Sequence, residues 1–167
     1  MQLNHTGNQM ISLYKNHRTI LIMVTLLAGC IAWIFDIPYY KIASDAITLV
    51  TIAIAIYFAA VTLLIGSKTA GIMNQPDYII KTKTQMGVFM QYLKWAILVG
   101  LLSIVDSYIT KIYCDEKLHL IMPYLYKTIS SIGIALLAAM IFFIWIIFEF
   151  ISAVLIRESH SGTNSKS

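Results

Sequence analysis

Thr48, Thr51, Ala55, Ala59, Thr62 and Gly66 recur every three or four residues, a spacing that aligns small and hydroxylated side chains along one side of a helix. Two chemistries fit such a stripe. In lipid, helices gain no hydrophobic advantage by touching, so small side chains serve close backbone approach. The threonine hydroxyls can also hold water along a polar path, unless each bonds its own helix carbonyl one turn back. The stripe therefore reads as a helix-contact seam, within the chain or between copies, or as the lining of a pore.

A second constellation is made of charges placed inside apolar runs. Lys94 and Asp106 are separated by roughly 18 Å along a helix at 1.5 Å per residue, too little for both to stand outside a hydrocarbon core of about 30 Å. Lys94 can snorkel towards headgroups, and Glu149 falls at a depth where the two could pair, so Lys94 and Glu149 form a candidate intramembrane charge pair. Asp106 and Lys111 read as interfacial chemistry at the opposite boundary.

Catalytic chemistry has no such support. Intramembrane proteolysis requires paired aspartates, a Ser and His pair or a zinc motif within helices, and small multidrug exporters require a central glutamate. Neither pattern occurs, so an enzyme is not expected. His5, His17, His119 and His160 are scattered, and no spacing suggests zinc or haem, so no metal or cofactor is expected. Cys30 and Cys114 leave a disulfide open, provided that the loop bearing Cys114 folds inward.

These residues must be positioned by membrane-spanning helices. Hydrophobic residues make up 59 % of the 167 and charged residues 12 %, too few charges to cover a soluble surface. The run from Ala46 to Ser67 carries no charge, and three further stretches meet or approach the length of a span. The expectation is an all-α membrane protein of four transmembrane helices at about 19–35, 46–67, 86–106 and 128–156, forming a 19–157 transmembrane domain. A cytosolic arm (1–18), with a helical turn near Ile11 to Tyr14, would precede it, and a disordered tail (158–167) would follow. Asn74-Gln75-Pro76-Asp77 signals a turn between the second and third spans. The first apolar run is longer than a signal-peptide core and reads as an anchor.

The net charge of +4 is spread over loops and forms no nucleic-acid footprint. Lys15, Arg18, Lys68, Lys81, Lys83, Arg157 and Lys166 fall on one side of the spans, and Lys41, Lys111, Lys117 and Lys127 on the other. The positive-inside rule then places both termini in the cytoplasm. Trp33, Tyr39, Tyr40, Tyr108, Tyr113, Tyr124 and Tyr126 would form the outer aromatic belt, and Tyr14, Tyr78, Tyr92 and Trp95 the inner one.

The segment Ala59-Ala60-Val61-Thr62-Leu63-Leu64-Ile65-Gly66-Ser67-Lys68-Thr69 resembles the RexB family, four-helix inner-membrane proteins of phage exclusion systems. The likeness covers the second helix and its cytosolic exit; elsewhere only size, span number and orientation agree. The resemblance implies a membrane-depolarising or ion-conducting effector, switched on by a cytosolic activator or sensor during phage infection. Four spans make too narrow a bundle for an obvious conduction path, so a pore implies a homo-oligomer in the bilayer. The alternatives are a non-conducting membrane scaffold for a cytosolic defence partner, a colicin-type immunity protein, or a holin.

Overall fold

Asp36, Ile37 and Pro38 turn the chain from its first helix into its second with very few residues. Asp36 adopts a left-handed conformation (φ 52°), which a short polar side chain tolerates better than a branched one. The Ile37 N–H then donates to Ala32 O at 3.2 Å, the long reverse bond that closes a helix C-terminus. Pro38 cannot continue that helix but can precede another, and Lys41 N–H donates to Pro38 O at 3.2 Å.

The computed structural model contains four long helices: α1 (Leu3–Phe35), α2 (Tyr39–Gly66), α3 (Gln85–Tyr113) and α4 (Pro123–Thr163). It describes residues 3–66, 71, 73, 74, 76, 84–113 and 122–163, with side chains described in these stretches except at 3–16, 63, 66, 154, 155 and 157–163. Each helix contains a segment long and apolar enough to cross a membrane: His17–Phe35, Tyr39–Thr62, Gln85–Tyr113 and Pro123–Ala153. The described residues form an essentially all-helical structure whose four long apolar helices have the length and composition of a multi-pass membrane protein.

The helices run further than the apolar stretches that announce them. α1 takes in most of the 1–18 arm, α2 begins at Tyr39 instead of 46, and α3 continues past Asp106 to Tyr113. α4 starts at Pro123 and reaches Thr163, into the expected tail. Helix ends are set by caps and turns rather than by apolarity. Thr84 caps α3, its Oγ1 accepting from Gly87 N–H at 3.1 Å, and Pro123 takes the first position of α4, where its missing N–H costs nothing. Of the turn expected at 74–77, Asn74 is in a turn conformation and Pro76 bridges Thr84; Gln75 and Asp77 lie outside the described residues.

α4 is the hub, packed against each of the other three helices, and α2 and α3 pack against one another beside it. The core lies where these three meet: Val50, Ala53, Tyr57 and Leu64 from α2, Phe89, Leu93 and Ala96 from α3, and Met140, Phe143 and Ile147 from α4. Gly100 marks a close approach within this core, because a Cβ there would stand 3.2 Å from both Ile54 Cδ1 and Val50 Cγ1 and 3.3 Å from Met140 Cε. Phe89 stacks on Phe150 with ring centroids 4.8 Å apart. α1 is seated chiefly on α4, through a narrow seam in which Gly29 faces Ala135 and Ser131.

Candidate functional site

α2 buries Tyr39, Ala43, Ala46, Val50, Ala53, Tyr57, Ala60 and Leu64. The steps alternate between four and three residues, the heptad spacing of a helix whose knobs enter a neighbour's holes. At 3.6 residues per turn, the stripe of Thr48, Thr51, Ala55, Ala59 and Thr62 falls on the opposite side of the helix, and all five are exposed. Among the described residues nothing packs against it. Thr48, Thr51 and Thr62 each return their hydroxyl to their own helix, to Ser44 O, Ile47 O and Phe58 O at 3.1, 2.8 and 3.0 Å. Gly66 ends α2; its packing lies outside the described residues.

Lys94 and Glu149 are both exposed, and no ion pair among the described residues joins them. The reach allowed by sequence position is not used, because the two side chains leave their helices on outward faces. Glu149 is instead the charged neighbour of His17. His17 Nδ1 and Tyr92 OH are hydrogen-bonded at 3.2 Å, and the imidazole lies edge-on to Tyr92 and Phe142, so α1, α3 and α4 meet there.

The densest polar packing sits at the other end of the bundle and was not singled out from sequence. α3 places Ser103, Ser107 and Thr110 on one face, all fully buried, and α4 adds Ser130. Ser107 Oγ donates to Ser103 O at 2.7 Å, so its single hydrogen is committed and Tyr39 OH is the donor in their 2.7 Å contact. Tyr39 thereby ties the first turn of α2 to α3. Its ring lies against Gly133 of α4, where any Cβ would collide with the ring's Cδ1 and Cε1 and fall 2.7 Å from Asp106 Oδ2. Asp106 therefore faces Tyr39 and Gly133 inside the bundle.

Lys111, expected beside Asp106, turns away and donates to Ser44 Oγ at 3.0 Å. Lys127 pairs with Asp36 at 3.3 Å, joining α4 to the α1–α2 turn. The outer aromatic belt splits. Trp33, Tyr108, Tyr113 and Tyr124 are exposed, whereas Tyr39 and Tyr126 are buried. Cys30 is exposed with a free thiol; Cys114 lies outside the described residues. The signal that could have revealed the polar cluster was the recurrence of Ser103, Ser107 and Thr110 at four and three residues, the seam spacing, beside an aspartate.

No family model, curated protein or solved structure matches this chain.

Proposed function

We propose that this protein is an effector of phage exclusion or abortive infection in the bacterial inner membrane. It acts by assembling copies of itself into an ion-conducting pore that depolarises the membrane. The observation that carries the reading is the outward stripe on α2. Its small side chains are spare: the helix meets its own bundle through the opposite face, and small residues exposed along a span suit close approach by another helix. The middle of one copy is filled by Val50, Ala53, Tyr57, Ala96, Met140 and Phe143, so conduction belongs between copies. Their threonine hydroxyls would serve the path by releasing the bonds to their own carbonyls. The phage context, the cytosolic activator and the cytoplasmic termini come from the RexB resemblance and the distribution of basic residues.

The filled core also favours a second reading, a non-conducting scaffold or colicin-type immunity protein. A voltage-sensitive dye in bacteria expressing the chain, alone and during infection, separates the two. The pore reading expects collapse of the potential that Ala59→Leu prevents and Ile56→Leu, on the flank of the stripe, does not. An intact potential in both conditions, with the protein confirmed in the membrane, would favour the scaffold or immunity role.

A further inference from the structure

Asp106 lies inside the apolar segment Gln85–Tyr113, about 10 Å short of its end at 1.5 Å per residue. Its Oδ2 is enclosed and meets no hydrogen-bond donor among the described residues. The side chain as a whole is partly buried. Leu102 and Ile109, one turn to either side of it on α3, are both exposed, so in a bilayer its open flank borders acyl chains.

The titratable neighbours are committed elsewhere. From α2, Tyr39 gives its hydroxyl to Ser107 at 2.7 Å, Lys41 lies over the Tyr40 ring at 5.8 Å, and Asp45 is exposed. From α4, Lys127 pairs with Asp36 of the α1–α2 turn at 3.3 Å, and Tyr126 packs on Tyr40. On α3 itself, Lys111 donates to Ser44 Oγ at 3.0 Å and Tyr108 is exposed. No described cation pairs with Asp106. A carboxylate oxygen held away from water without a partner is strongly disfavoured, the more so inside a span. Against Gly133 even a Cβ would stand 2.7 Å from Oδ2, a fit that favours the smallest neutralising ligand, a proton.

We propose that Asp106 is a proton-binding site within the membrane, occupied while α2, α3 and α4 are closed around Tyr39 and Gly133. The bound proton makes the carboxyl neutral and adds a donor, so the enclosed oxygen carries no charge away from water. When the proton passes to a base in the water beyond the α1–α2 turn, the anion left behind must reach that water. The packing of Tyr39 on Gly133 then loosens. Acidity at this end of the bundle thereby governs how firmly α2 is seated on α4. The site does not depend on whether copies assemble into a pore.

The test is thermal unfolding of the full chain in lipid nanodiscs across a pH series at constant ionic strength. The folded chain holds a proton that the unfolded chain releases, so the stabilisation is complete in acid and declines as pH rises until the folded chain loses it too. Wild type is expected to lose about 5 °C of midpoint between about pH 4 and about pH 8 on this account. Asp106→Asn copies the shape of the protonated acid. It is expected to match wild type in acid, to exceed it in alkali and to lack this share of the pH dependence, whereas titration elsewhere, His17 included, is common to both. Infrared spectra at neutral pH are expected to show the carbonyl band of a protonated carboxyl, shifted by isotope-labelled aspartate and missing from Asp106→Asn. Should Asp106→Asn fail to fold, the same band in Asp106→Glu, now shifted by labelled glutamate instead, answers the same question. An identical pH dependence in wild type and Asp106→Asn, or no protonated aspartate band at neutral pH, would overturn the proposal.

Discussion

The two sides of α2 differ in what sits between their small residues. On the inner side, alanines alternate with Tyr39, Val50, Tyr57 and Leu64, so each small residue is a hole beside a knob. On the outer side, Thr48, Thr51, Ala55, Ala59 and Thr62 follow one another with nothing large along the line. The first arrangement locks onto one partner surface in one register. The second is a smooth groove whose hydroxyls are already satisfied within the helix, free to meet lipid or another helix. Small-residue spacing alone therefore announces a possible contact without saying which surface makes it.

The sharpest way to break the inner side is at its tightest point. Gly133→Leu would drive a side chain into the Tyr39 ring, and we expect a loss of about 3 kcal/mol of stability, read from unfolding of the protein in nanodiscs. Tyr39→Ala in the same chain should recover part of the loss by restoring room. A direct comparison of the two sides comes next. Ala53→Leu overfills the core between α2 and its neighbours and should cost about 2 kcal/mol, whereas Ala55→Leu should leave unfolding within about 0.5 kcal/mol of wild type while reducing crosslinking between copies. A comparable loss of stability in both variants would erase the distinction between the faces.

Smaller effects refine the picture. Tyr39→Phe removes only the hydrogen bond to Ser107 and should cost about 1 kcal/mol, a modest fraction of the Gly133→Leu effect because the ring remains in place. Exchanging the charges at Lys94 and Glu149, singly and together, should give a coupling below about 0.5 kcal/mol in a double-mutant cycle. A larger coupling would mean that the two exposed side chains do find each other.

What the sequence reveals follows from which forces leave a mark in composition. A span must be apolar throughout its length, so the four helices were legible from their apolar runs. Their ends were not, because the cap at Thr84 and the left-handed Asp36 depend on local hydrogen bonding that apolarity does not report. The inner face of α2 was hidden for a related reason: lipid and protein core are both apolar, so Val50 facing Met140 and Ile52 facing outwards look alike. Thr48 to Thr62 stood out only by contrast. The Tyr39, Ser107 and Asp106 cluster brings together residues far apart in the chain, and an isolated serine in an apolar run gives no sign of whether it faces carbonyl, water or tyrosine.

The seating of α1 has a consequence for biogenesis. Among its described residues only Ala32 is buried, while Ile22, Met23, Leu26, Leu27, Ile34 and Phe35 are exposed, and its principal neighbour is α4. A ribosome delivers α1 before the other three helices and α4 after them. During the synthesis of α2 and α3, the first span therefore lacks its principal packing surface. Its small seam around Ala28, Gly29 and Ala32 waits for a surface not yet made. Of these four helices, the last to be made is the one that gathers the first, and their bundle closes only when α4 is present.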